Sequence, residues 1–368
     1  MKKRIAVLGA TGSIGESALD IISQDTDNFE VILLTAHSSL SKLEQLKTKY
    51  PNSVCVLTKE ENGKEKLLSA IKNANADIII NGISGAAGLE PSIAAIEAGC
   101  RLALANKETL VMAGKLVLQS AKEKNVNIIP VDSEHSAIFH LLKAHTNNNE
   151  ALNEIILTAS GGPFRNFSVQ EMEKVTAQEA LAHPTWKMGP KITIDSASMA
   201  NKGLEIIEAC VLFNLPPEKI KVVIHPQSIV HAMIRLNNGV FYAQLSKPDM
   251  RHPIHDALYW PHTAPSLLET LNFDCLSLVF LKPENHKFPM LDLAWNAAKQ
   301  GALYPCAYNA ANETAVCAFL EKKIGFLDIP RITEHVLEKD WSSDISCLEA
   351  VIDADRESRI IASDFIKH

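Results

Sequence analysis

The chain has 368 residues, 46% of them hydrophobic, with a formal charge of −7 and a pI near 6.0. That length exceeds one ordinary core and the apolar content can bury two or three, while the acidic balance excludes nucleic acid or a membrane surface as partner, since either needs a basic face. Seven scattered cysteines without a CxxC pair suit a reducing compartment; the apolar run in MKKRIAVLGATG is too short for a signal peptide and no stretch could span a bilayer, so the expected location is cytoplasmic and the expected partner a small molecule.

RIAVLGATGSIGESALDII opens with a short apolar strand, after which Gly9, Gly12 and Gly15 stand three apart ahead of Ile14, Ala18 and Ile22 at helical spacing. A strand, a glycine turn and a helix N-terminus form a pyrophosphate cradle, because glycines let backbone N–H groups approach the anion; the alternative is a tight connection. EVILLTA, SVCVLT, ADIIING and CRLALAN read as further strands with helical patterns between them, which predicts a doubly wound, Rossmann-like parallel sheet over residues 1–131. The second strand runs into LLTAHSSLSK, with no acid where NAD-binding sheets commonly hold the ribose 2′-hydroxyl. His37, Ser38 and Ser39, with Lys42 nearby, favour NADPH, unless they only start the next helix. In ALANKETLV, Asn106, Lys107 and Glu108 follow a strand end, where open sheets bind ligands, or else are ordinary residues of a helix start.

A central α/β catalytic domain is expected over 132–260. In NVNIIPVDSEHSAIFHLL, Asp132 or Ser133 caps a helix that Glu134 favours, or, if the chain is still extended, Asp132 and Glu134 face one point and make half of a hard-cation site. EIILTASGGPFR is a strand ending in Ser160 and two glycines, an anion site or a hinge. From His183 to Pro190 a loop carries Trp186, which closes over a ligand as a lid or packs on the domain body. KITIDSASMANKGLEIIEACVLF reads as a strand ending near Asp195 and a helix from about Asn201, clustering Ser196, Asn201 and Lys202 as a phosphate site. Glu205, one turn beyond Asn201, is a third carboxylate or a solvated helix residue. Asp132, Glu134 and Glu205 together suit Mg2+ or Mn2+, with Co2+ as a further option, better than zinc. A turn-rich linker over 261–290 and a small C-terminal helical domain over 291–368 complete the expectation; Asn309 and Asn312 in YNAANE read as packing residues or as contacts to a site.

GATGSIG, ANKE, VDSEHSAIF, SGGPFR, HPTWKMG, DSASMANKGLE, HPQSIVHAMI and KPDMRHPI occur in this order, and the chain resembles the 1-deoxy-D-xylulose 5-phosphate reductoisomerase family over roughly residues 4 to 320. The resemblance implies an NADPH- and divalent-metal-dependent rearrangement and reduction of a phosphorylated ketose, in isoprenoid precursor synthesis by the non-mevalonate route, carried out by a homodimer. It implies Asp132, Glu134 and Glu205 as metal ligands and Ser133, Ser160, His183, Ser196, Asn201, Lys202 and Lys107 as substrate contacts. Lys202, Glu134 and His183 would be catalytic, and Thr11, Gly12, Ser13, Ile14, Asn106, Glu108 and Gly189 cofactor contacts. One departure stands out: many members resemble Gly-Lys-Asn after the second strand, where this chain has His37, Ser38 and Ser39. Two other classes compete. A semialdehyde dehydrogenase needs a reactive cysteine in an electropositive loop, and an NADP sensor needs the cradle without the three carboxylates.

Overall fold

The computed structural model describes residues 1–146, 151–186 and 188–367, so Lys187 of the HPTWKMG stretch lies outside the described residues. The first half alternates as the sequence predicts: β1 Lys3–Leu8, α1 Ser13–Gln24, β2 Phe29–Ala36, α2 Leu40–Lys49, β3 Val54–Leu57, α3 Gly63–Asn73, β4 Ile78–Asn81, α4 Leu89–Glu97, β5 Arg101–Leu104, α5 Glu108–Glu123, β6 Ile128–Pro130 and α6 Ser133–His145. The second half holds β7 Leu152–Ala159, α7 Val169–Met172, α8 Ala177–Ala180, α9 Pro190–Ala197, α10 Ala200–Leu212, β8 Ile220–Ile224, β9 Val230–Leu236, β10 Phe241–Leu245, α11 Arg251–Tyr259, α12 Met290–Gln300, α13 Tyr304–Leu320, α14 Asp328–Leu337 and α15 Leu348–Lys367.

Two compact units result, each gathered from separate stretches of chain. The first comprises residues 1–109, 117–136 and 249–269; the second comprises 110–116, 137–248 and 270–368. In the first, six parallel strands lie in the order β3-β2-β1-β4-β5-β6, the arrangement of doubly wound dinucleotide-binding sheets. Ile5, Val7, Leu8, Ile79 and Ile80 are fully buried, as a parallel sheet covered on both faces requires. Residues 249–269 return to this unit because Arg251 ties Asp20 of α1 at 2.9 Å and the Arg101 guanidinium donates to the Trp260 carbonyl at 2.7 Å.

The second unit carries a four-stranded sheet in the order β10-β9-β7-β8, with β7 parallel to β8 and antiparallel to β9. Helices α12 to α15 form the anticipated helical region, where Tyr308, Ala311, Ile329 and Val351 are buried. One expectation fails here. KITID alternates like a strand, yet Pro190–Ala197 is helix α9, with Gly189 as N-cap and Pro190 at its first position. Proline there presets the helical φ, Lys191 pairs with Asp195 one turn on at 2.9 Å, and burial of Thr193, Ile194 and Ala197 overrides the β-branched preference.

Candidate active site

In the first unit the glycine turn sits where the strand order reverses, between β1 and β4. Gly9 has φ +75°, and a Cβ there would meet the Gly82 carbonyl oxygen at 2.9 Å; a Cβ on Gly15 would overlap the Gly9 carbonyl and stand 2.5 Å from the Ala10 Cα. Glycine is therefore obligatory at both positions. Gly12 caps α1 with no side-chain cap bond, and Gly12 and Ser13 are exposed with Thr11 and Ile14 half-buried, so the first N–H groups of α1 face outward as an anion site requires. His37, Ser38 and Ser39 are exposed at the end of β2. His37 Nδ1 lies 3.0 Å from the Thr58 hydroxyl and Lys42 pairs with Glu16 at 2.8 Å. Asn106 is buried, and its amide donates to the carbonyls of Ile83 and Gly85 at 2.8 and 2.9 Å and to Glu108 at 3.0 Å. It organises the loop after β4.

Asp132 lies between β6 and α6, buried beside Lys107, whose ammonium pairs with it. Burial pushes the Asp132 carboxyl up, but Lys107 and His135 outweigh that and hold it well below the usual carboxylate range. Ser133 and Glu134 open the first turn of α6 and the Ser133 hydroxyl donates to the Glu134 carboxylate. Ser133 and Glu134 are therefore not extended chain with alternate side chains on one side, and Glu134 is placed by a helical turn.

In the second unit β7 delivers Ser160. Gly161 and Gly162 have φ +82° and +64°, and a Cβ on Gly162 would lie 2.8 Å from the Ser196 carbonyl, so these glycines let the turn approach α9 rather than act as a hinge. The Ser160 hydroxyl oxygen accepts from the Gly162 N–H at 3.2 Å and meets His183 Nε2 at 3.0 Å. His183 Nδ1 accepts from the backbone N–H groups of Thr185 and Trp186 at 3.1 and 2.9 Å, so the ring proton sits on Nε2 and points at Ser160. With both lone pairs occupied, Ser160 has its own O–H left to donate, which suits an anionic ligand.

Burial, with Arg165 adding, lowers the His183 pKa from 6.5 to about 4. The imidazole is neutral in the native state where the unfolded chain would bind a proton, so stability is full above 6.5 and is lost as pH falls toward about 4. We expect the His183 nitrogen chemical shifts to stay constant from about pH 8 to 5.5, and His183→Gln to flatten the stability slope below about 6.5. A His183 that titrates at its ordinary value would show that burial does not hold the ring neutral.

Helix α10 follows Met199, whose φ is +63°. Its first turn interlocks three expected residues: the Glu205 carboxylate accepts from the Asn201 amide at 2.6 Å and pairs with the Lys202 ammonium. Lys202 and Glu205 are 3% and 1% exposed, far from the solvated alternative. Ser196, half-buried on α9, lies on the preceding helix. Trp186 is half-buried with its ring 6.5 Å from that of His231, and His231 Nε2 lies 2.8 Å from the Ser246 hydroxyl. His231, within HPQSIVHAMI, is not among the residues expected at the site; Asp195, expected only as a strand end, lies buried in α9 and accepts from the Asn312 amide, one of the two asparagines that YNAANE singled out. Much of the stretch from Ser160 to Gly189 is anchored: capping boxes Ser168/Glu171 and Thr176/Glu179 close α7 and α8, and Phe164, Met172 and Ala180 are buried.

Three of the cysteines are poor nucleophiles. Burial pushes the Cys210 thiol up to about 12 and moves Cys100 and Cys306 the same way, opposite to an activated nucleophile. No helix among the described residues is long and apolar enough to cross a membrane.

Family models match three consecutive stretches: 1-deoxy-D-xylulose 5-phosphate reductoisomerase over residues 5–114, its C-terminal domain over 128–213, and the DXP reductoisomerase C-terminal domain over 245–361. The 1-deoxy-D-xylulose 5-phosphate reductoisomerase of Treponema denticola is 47% identical over 98% of this chain and 96% of its own length. That of Pelodictyon phaeoclathratiforme is 46% identical over 99% of this chain and 100% of its own. Among solved structures, the Zymomonas mobilis reductoisomerase in complex with NADPH superposes with a TM-score of 0.92 at 41% identity, covering 100% of this chain and 99% of that one. A DOX-P reductoisomerase in complex with NADPH, fosmidomycin and magnesium gives 0.92 at 38% identity, covering 99% and 98%.

Proposed function

The chain belongs to the 1-deoxy-D-xylulose 5-phosphate reductoisomerase family, and from that premise we propose how its own residues divide the work. The reaction is the rearrangement and reduction of 1-deoxy-D-xylulose 5-phosphate to 2-C-methyl-D-erythritol 4-phosphate in non-mevalonate isoprenoid precursor synthesis, dependent on NADPH and a divalent cation. The bound cofactor supplies hydride and the cation Lewis acidity.

One observation carries the assignment of residues. Each of two buried lysines, Lys107 and Lys202, is paired with a carboxylate of the expected cation set, Asp132 and Glu205. Two buried carboxylates with Glu134 are a hard-oxygen donor set fit for Mg2+ or Mn2+, and two lysines balance a phosphorylated substrate. Ligand binding on this reading exchanges partners without leaving a buried charge unpaired, an arrangement that low-dielectric sites demand. Ser196, Asn201 and Lys202 hold the phosphate, Ser160 donates to a substrate oxygen, and His183 keeps Ser160 oriented. Remote phosphate binding then orients the reacting carbons. The cradle from Thr11 to Ile14 holds the cofactor pyrophosphate, with Asn106, Glu108 and Gly189 beside it and His37, Ser38 and Ser39 near the ribose. Trp186 closes over the bound ligand. The domain limits at 131, 260 and 290, a cytoplasmic location and a homodimer belong to the same reading.

NADPH oxidation should require both the ketose phosphate and a divalent cation. Oxidation that proceeds without the cation points to a simple dehydrogenase, and NADPH binding without any turnover points to a sensor. NADPH should exceed NADH in kcat/KM by at least about tenfold, because no acid follows β2 to repel a 2′-phosphate; equal values would sink the cofactor assignment.

A further inference from the structure

Asp195 is 1% exposed on α9, immediately before Ser196. Its carboxylate pairs with Lys191 at 2.9 Å and accepts from the Asn312 amide of α13 at 2.8 Å. One turn earlier on α13, Tyr308 is fully buried and donates to the Met290 carbonyl at 3.1 Å. Its hydroxyl also abuts Gly203 of α10: a Cβ there would run into the Tyr308 oxygen and stand 2.9 Å from the Ala294 Cβ. Residues four apart share a helix face, so one edge of α13 grips α9 at the residue before Ser196 and α10 at the residue after Lys202. Burial first and Asp195 second push the Tyr308 phenol well above its usual range, leaving it a neutral donor.

We propose that Tyr308 and Asn312 are positioning residues for the substrate phosphate: their shared edge sets the separation between Ser196 on α9 and Asn201 and Lys202 on α10. The inference rests on the phosphate role of those three residues. Packing alone does not account for Asn312. It is fully buried and its Oδ1 has no hydrogen-bond partner among the described residues, a penalty that an aliphatic side chain of similar volume would avoid. What the amide gains is a directional bond to Asp195, which fixes the rotation of α9. The grip is continued by Glu313, which binds Arg359 of α15 at 2.7 Å while Arg359 also binds Asp355 at 2.8 Å, so α13 is itself held from behind.

The test uses the full chain with NADPH and Mg2+. Asn312→Leu should raise KM for the ketose phosphate about tenfold, and the inhibition constant of inorganic phosphate in parallel, while kcat changes less than about threefold, the pattern of lost binding to a non-reacting group. Tyr308→Phe, which keeps the packing, should raise KM about threefold by the same logic. The dissociation constant of NADPH should stay within about twofold, a readout that a general loosening of the fold would move. Exchanging the pair as Asp195→Asn with Asn312→Asp restores an amide–carboxylate bond and should recover much of the KM. Unchanged KM in both single variants, or KM and NADPH affinity drifting together, overturns the proposal. Lys202→Met distinguishes the levels: if it raises KM strongly while the α13 variants do not, only the positioning role falls; if it leaves KM unchanged, the phosphate site falls and this inference with it.

Discussion

Glu205→Gln should abolish turnover, lowering kcat by at least about a hundredfold, the scale on which losing one preorganised charge contact at the reacting group is felt. The amide is neutral where the proposed cation needs an anionic oxygen, so raising Mg2+ should restore little. A second consequence comes from the pairing with Lys202. Both side chains are nearly inaccessible, and removing one member of such a pair destabilises by about 3–5 kcal/mol when the other is left uncompensated. The Asn201 bond at 2.6 Å survives, since glutamine still offers an amide oxygen. Catalysis and stability can therefore be separated. Lys202→Met combined with Glu205→Gln should regain most of the stability that either change loses, yet remain inactive. A Glu205→Gln enzyme with normal activity and normal metal dependence would show that the carboxylate serves only to neutralise Lys202.

That double role was only half legible in the sequence. The spacing of Asn201, Lys202 and Glu205 puts them on adjoining positions of one helical turn, which periodicity alone predicts. Their burial did not follow from spacing, because nothing within α10 says what covers it; α12 and α13, some ninety residues later, do so. The N-terminal sheet was readable strand by strand, since β1, β2, β4 and β5 are short apolar runs bounded by turns. The strand order was not legible in any single residue; it is a property of the connections between strands. KITID misled because β-branched residues alternate with polar ones at a period of two. The better signals were Gly189 and Pro190 at its start and the Lys191 to Asp195 spacing of four. LNNGVF carries a hairpin signal, the Asn-Asn-Gly turn between the antiparallel strands β9 and β10. The return of residues 249–269 to the first unit was not readable at all, because it depends on pairs as distant as Arg251 with Asp20.

Gly15→Ala should nearly eliminate cofactor binding, raising the NADPH dissociation constant by about a hundredfold or more while lowering Tm by several degrees. The added Cβ has no room: it would overlap the Gly9 carbonyl, and its next neighbour is the Ala10 Cα at 2.5 Å. Backbone cannot yield as a flexible side chain does, and overpacking of this kind costs about 1–3 kcal/mol even where the surroundings relax. Relaxation here means moving α1 away from the turn after β1, which is the geometry that aims the N-terminal N–H groups at the pyrophosphate. Gly12→Ala provides the contrast. A Cβ on Gly12 would meet only the Gly9 oxygen, at 3.4 Å, an ordinary contact, yet Gly12 is exposed at the helix N-cap. Its methyl would crowd the ligand and not the protein. Gly12→Ala should therefore weaken NADPH binding with Tm almost unchanged, whereas Gly15→Ala should lose both, and the Tm rise that NADPH gives the parent protein should shrink in the first and vanish in the second. If Gly15→Ala keeps NADPH affinity within about twofold of the parent, the turn can open without harm. The dinucleotide would then have to bind away from the reversal of strand order between β1 and β4.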